Sequence, residues 1–132
     1  MPKVLYAVLA CVALAGCNAG GSVPSANLPT MSVAFKWCSG SPEFTVGNIP
    51  AGAKTLNFRM VDQQAQGYNH GGGSVAASGK SNQTVPCGGL AGSYTGPNPP
   101  SPQVHEYQWT VTAVDASGQA VAVGRAIRKF PE

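Results

Sequence analysis

The segment Gly96-Pro97-Asn98-Pro99-Pro100-Ser101-Pro102-Gln103-Val104-His105-Glu106-Tyr107-Gln108-Trp109-Thr110-Val111 decides the fold, because a proline-rich loop gives way at once to strict alternation. Residues two apart on a strand share a face, so His105, Tyr107, Trp109, Val111 and Ala113 form one row. Glu106, Gln108, Thr110 and Thr112 form the other. The aromatic and apolar row belongs inside. His105 and Tyr107 then stand at the mouth of that row, where an imidazole and a phenol can donate hydrogen bonds into a half-buried space. The plainer alternative is a strand end whose two polar side chains are satisfied by backbone.

Working outward, the same period of two recurs. Val33, Phe35 and Trp37 mark a first strand, and a short one is expected near Phe44 to Val46 after the turn-like Cys38-Ser39-Gly40-Ser41-Pro42. Leu56, Phe58 and Met60 alternate with Asn57, Arg59 and Val61 in a strand that ends at Asp62. From Gln63 to Pro102 the chain reads mostly as loop, with short strands near Val75 and Thr84; a loop of that length in a compact domain is usually functional. Asp115-Ala116-Ser117-Gly118 is a turn, and Ala120 to Ile127 reads as strand or short helix. Glycine (17) and proline (11) are abundant and only 10% of residues are charged, against about 25% in an average domain. These features describe one β-rich domain with many turns. The formal charge of +3 includes Lys3, and the other basic residues are scattered, which excludes a nucleic-acid stripe.

At the N-terminus, Lys3 precedes the apolar run Val4 to Ala13 and then Leu14-Ala15-Gly16-Cys17. This is the pattern of a secretory signal, and the run falls well short of the roughly 20 residues that span a bilayer. Leu-Ala-Gly-Cys is similar to a bacterial lipobox, which makes residues 1–16 the signal and Cys17 a lipidated first residue anchored in the membrane. Asn18 in place of Asp is compatible with the outer membrane, so the expected location is the bacterial cell envelope, facing the periplasm. Residues 17–30 show no periodicity and read as a tether of roughly 20 Å as a coil, with the folded domain at 31–132. Once Cys11 leaves with the signal and Cys17 carries lipid, Cys38 and Cys87 are the remaining thiols, and an oxidising compartment favours one disulfide. A metal-thiolate site competes weakly, because neither Cys has a partner at ligand spacing.

The long loop contains Tyr68-Asn69-His70-Gly71-Gly72-Gly73. His-Gly-Gly-Gly occurs in the oxyanion loop of esterases, but no Gly-x-Ser-x-Gly accompanies it, so no hydrolase follows from it. The glycines either bring backbone amides close to a ligand or form a tight turn. Asp62 ending a strand, His70 in the next loop, Gly96-Pro97-x-Pro99-Pro100 and then His105-x-Tyr107 occur in a set order. That order resembles the phosphatidylethanolamine-binding protein family, and more closely its bacterial Raf-kinase-inhibitor-like branch; Ala113-Val114-Asp115 is similar to the branch's Ala-Leu-Asp. The resemblance covers most of Val33 to Asp115. Two departures stand out: the branch's Asp-Pro-Asp-x-Pro is Asp62-Gln63-Gln64-Ala65-Gln66 here, and its His-Trp is His70-Gly71.

The resemblance implies a shortened antiparallel β-sandwich with long pocket-forming loops and a small anion site at one end. It implies that Asp62, Tyr68, His70, Gly96, Pro97, His105 and Tyr107 line that site, with Tyr68 as the aromatic rim. It points to a non-enzymatic, cofactor-free binding protein for phosphate or a phospholipid headgroup. The alternatives are a protein-interaction or protease-inhibitor module acting through the pocket surface and, third, a hydrolase of small phosphoesters or lipids. The chemistry of the residues agrees with an anion site: two imidazoles, a phenol and glycine amides all donate to phosphate oxygens, and Asp62 can orient one imidazole. Asp62 and two His could instead hold a divalent metal with an open position. Anion ranks above metal because no further ligand is evident.

Overall fold

The computed structural model describes residues 27–132; the signal segment, Cys17 and the first part of the expected tether lie outside them. Among the described residues there are seven strands, β1 (Ser32–Cys38), β2 (Gly40–Gly47), β3 (Thr55–Asp62), β4 (Gly72–Ala76), β5 (Gln83–Val85), β6 (His105–Val114) and β7 (Ala120–Phe130). They form two antiparallel sheets, ordered β1-β2-β5 and β4-β3-β6-β7, and the sheets pack face to face as a β-sandwich.

The alternation of each sequence run determines what it contributes to the space between the sheets. Along β6 every second residue from His105 to Ala113 is buried and the others are half-buried. Leu56, Phe58 and Met60 of β3 are likewise buried, beside Trp109, Val111 and Ala113. The opposing sheet supplies Phe35, Phe44 and Val46. Phe44 is the hinge-point of the packing, with its ring centroid 4.6 Å from Phe58 and 4.9 Å from Trp109. Pro42 fits within β2 because the β1–β2 register shifts between Lys36 and Cys38. A proline at a bulge removes no ladder hydrogen bond.

Of strand and short helix, the two readings open for Ala120 to Ile127, the strand is present. Ala120–Phe130 is a strand throughout, with no helix. Its run of Ala and Val carries little periodic signal, and full antiparallel pairing to β6 decides the matter. The folded chain also starts ahead of Met31: Val123 N–H donates to Pro29 O at 3.0 Å, and Met31 N–H donates to Val123 O at 2.9 Å. Gly124 makes that contact feasible, since a Cβ there would stand 2.6 Å from Met31 O. Beyond this point β1 runs alongside β7, held by Arg128 Nη1–H to Phe35 O at 3.0 Å and Trp37 Nε1–H to Lys129 O at 2.8 Å.

The expected disulfide is present. Cys38 and Cys87 are bonded, with Cα atoms 5.9 Å apart, tying the end of β1 to the segment after β5. The outer edge of β4 is closed by main-chain bonds to residues 91–93, Ser74 N–H to Ala91 O, Ala91 N–H to Ser74 O and Gly72 N–H to Ser93 O. An edge covered in this way offers no template for further strands.

Candidate functional site

The β3–β6 register builds the floor of a cavity of about 280 Å³. Asp62, last in β3, lies opposite Tyr107, and His105 is two residues before Tyr107 on the same face. Asp62, His105 and Tyr107 are therefore neighbours by sheet geometry. His70 arrives from the loop before β4, with its ring centroid 5.5 Å from that of Tyr107 in an edge-on arrangement. Tyr68 lies against His70 at 4.6 Å and is 55% exposed, so it forms an aromatic rim. Gly96, Asn98, Pro99 and Pro100 form the opposite wall, and Ala65 and Thr95 complete the lining.

Of the residues singled out in the sequence, Asp62, Tyr68, His70, Gly96, His105 and Tyr107 are thus brought together. Pro97 is the exception and does not line the cavity. The glycine tract is corrected as well. Gly71 N–H goes to Asn69 Oδ1 at 3.1 Å and Gly72 N–H to Ser93 O at 2.9 Å, so these amides are engaged within the fold. A Cβ at Gly72 would lie 1.8 Å from Phe58 O, and one at Gly71 would lie 2.0 Å from Ser93 O. Close packing of backbone on both sides of β4 requires glycine here.

Each imidazole has a defined engagement. His105 Nδ1 lies 2.7 Å from Asp62 Oδ2, and Nε2 lies 2.8 Å from Gln103 Oε1. A carboxylate only accepts, so Nδ1–H donates to Asp62; the Gln103 amide oxygen also only accepts, so Nε2 engages Gln103 as N–H in the protonated ring, or through the amide NH2 when the ring is neutral. Both nitrogens are occupied, which corrects the expectation that His105 donates freely into the cavity; its role is to hold Asp62 in place. Gln103 was not singled out, although its position two residues before His105 on an extended run is the signal that pairs them. His70 Nδ1–H donates to Thr95 O at 2.9 Å, and Thr95 N–H returns a bond to His70 O at 2.8 Å. His70 Nε2 has no protein partner among the described residues.

The Tyr107 hydroxyl is buried and makes no hydrogen bond of good geometry among the described residues, although the Asp62 carboxylate and the Asn98 main chain lie close enough to act on it. Burial, and then the nearby Asp62 carboxylate, push this phenol up to about 12, so it remains a proton donor at any physiological pH. Buried hydroxyls are nearly always satisfied, and an orphan in a cavity wall asks for a partner from outside the chain. Among the described residues, no three His, Cys, Asp or Glu side chains gather as a metal-ligand set.

Burial alone would raise the Asp62 carboxyl. The hydrogen bond from His105, that from Gln64 N–H at 2.9 Å and the charge of His105 together outweigh it and hold the group below its ordinary value of 3.8. A depressed carboxyl contributes stability above its unfolded pKa, and that contribution disappears as pH falls through the folded one. Denaturant midpoints of the wild type should therefore drop as pH is taken below about 4, while those of Asp62→Asn should fall less steeply. Parallel slopes would remove Asp62 from the acid response.

Compared with protein families, curated proteins and solved structures, the chain matches none.

Proposed function

We propose that this chain is a non-enzymatic binding protein of the bacterial envelope, held by lipid on Cys17, whose cavity takes a small anion of the phosphate or phosphorylated-headgroup class. The observation that carries this reading is the buried Tyr107 hydroxyl, without a hydrogen bond of good geometry among the described residues, on a ring edge-on to that of His70, whose Nε2 is free. A neutral His70 that gives its Nδ1–H to Thr95 presents only a lone pair at Nε2, whereas the protonated ring presents a second N–H. Tyr107 and protonated His70 then supply two donors to one oxyanion, and the charge-assisted bond is the stronger. The order of Asp62, His70, Gly96-Pro97 and His105-x-Tyr107 supports placing the chain with the phosphatidylethanolamine-binding proteins.

Titrating inorganic phosphate against imidazole NMR signals tests the reading. The His70 and His105 signals should shift with one common affinity. Tyr107→Phe should weaken binding by about 1.5–3 kcal/mol, the range of a hydrogen bond to a charged group. Two His signals that ignore phosphate would favour a second reading, a protein-interaction module. Tyr68, 55% exposed, and Val104, 51% exposed, support that alternative as apolar surface near the mouth.

A further inference from the structure

The N-terminal end of the described chain and the cavity lie at opposite poles of the sandwich. Thr30 pairs with Val123 in the parallel sense, so the chain running back from Thr30 toward Asn27 travels toward the Ala120 end of β7. The cavity floor is at the other end, where His105 pairs with Phe130 and Asp62 closes β3. The strand from Val123 to Phe130 covers about 23 Å at 3.3 Å per residue.

We propose that the cavity takes its anion from solution, as soluble phosphate or a soluble phosphomonoester, and faces away from the bilayer that holds the chain. This rests on the anion reading of the cavity and on Cys17 as the attachment point. The stretch from Cys17 to Asn27 can extend at most about 35 Å. Turning the cavity onto the same bilayer would use about 23 Å merely to run back along the sheet. The upright arrangement needs no such extension. Charge at the cavity pole agrees: no Lys or Arg lines the cavity, Arg128 is paired with Glu132, and Lys129 stands opposite Glu106. Lys36, on β1 at the same end, stands opposite Glu43, so these basic residues are each matched by an acid and form no basic patch to draw that end onto an anionic bilayer surface.

The test uses the full-length lipidated chain in phosphatidylcholine vesicles, with and without phosphatidic acid, whose headgroup is a phosphomonoester. Binding of labelled inorganic phosphate is measured by equilibrium dialysis, with the Cys17→Ser chain mixed with the same vesicles as reference. Affinities should agree within about twofold; a loss of about tenfold confined to the lipidated chain on phosphatidic acid would show headgroup competition and overturn the proposal. A second arm reports orientation without any ligand, using nitroxide lipids to quench tryptophan introduced at the exposed positions Ala116 and Val104. Ala116→Trp should lose fluorescence relative to the parent and Val104→Trp should not. Equal quenching of the two overturns the proposal, as does failure of the lipidated chain to stay on the vesicles. Absence of phosphate binding by the Cys17→Ser chain would overturn the anion reading, and with it the soluble-anion assignment, while the quenching arm still decides which pole faces the bilayer.

Discussion

Replacing Cys38 and Cys87 together with serine should lower the unfolding free energy by about 4 kcal/mol in the chain-entropy account of a closed loop. The bridge joins residues 49 apart in sequence, and little else joins the same parts. β5 has three residues and pairs only with Phe44, Thr45 and Val46 of β2. Release of the bridge leaves the segment after β5 attached mainly by Gly88 N–H to Ser41 O and the turn from Pro86 to Gly89. For a domain near 100 residues each kcal/mol moves the melting midpoint by roughly 4–8 °C, so the double variant should melt roughly 16–32 °C lower. Circular dichroism melts of the variant, and of wild type with and without reductant, measure this. A shift of only a few degrees would mean that the unfolded chain is not restrained by the bridge as the loop model requires.

Gly72→Ala should be comparably damaging, at about 3 kcal/mol or more. The added methyl would stand 1.8 Å from Phe58 O and 2.7 Å from Phe58 C. Both obstacles are backbone, so no rotamer change relieves them. β4 would have to move off β3, and on its other side the main chain of residues 91–93 blocks the way. Because His70 lies two residues before Gly72, the same displacement should weaken phosphate binding along with stability. Gly67→Ala is the control: nothing lies within 4 Å of its would-be Cβ, and its melt should stay within about 0.5 kcal/mol of wild type. Equal melts for the two variants would mean that β4 has slack that the close contacts deny.

The sandwich was legible wherever large apolar residues alternate, as in Leu56-x-Phe58-x-Met60 and Tyr107-x-Trp109-x-Val111, because pleat geometry alone assigns their faces. It was illegible in Ala120 to Ile127, where small residues leave the period weak and pairing with β6 supplies the order. The floor of the site was readable for the same reason as the core, since Asp62, His105 and Tyr107 end or begin strands on the inward row. What fills each ring nitrogen was not readable. Thr95 O reaches His70 only because residues 91–95 fold back along β4, and no local pattern encodes a main-chain carbonyl as a partner. The glycine tract shows the same limit: composition reveals freedom of the backbone, but only the assembled fold reveals which neighbour needs the space.

His70 is joined to Thr95 through both its ring and its main-chain carbonyl. The wall that carries Gly96 and Asn98 is therefore joined to the same residue whose Nε2 the proposed anion reading assigns to the ligand. Ordering of this wall is settled when the protein folds, so a ligand that enters loses its own translational freedom and asks the host for almost none. Association on such a surface is a rigid-body encounter: its rate is governed by diffusion and orientation, and selectivity resides in fit, because a mismatched solute finds walls that do not adjust to it.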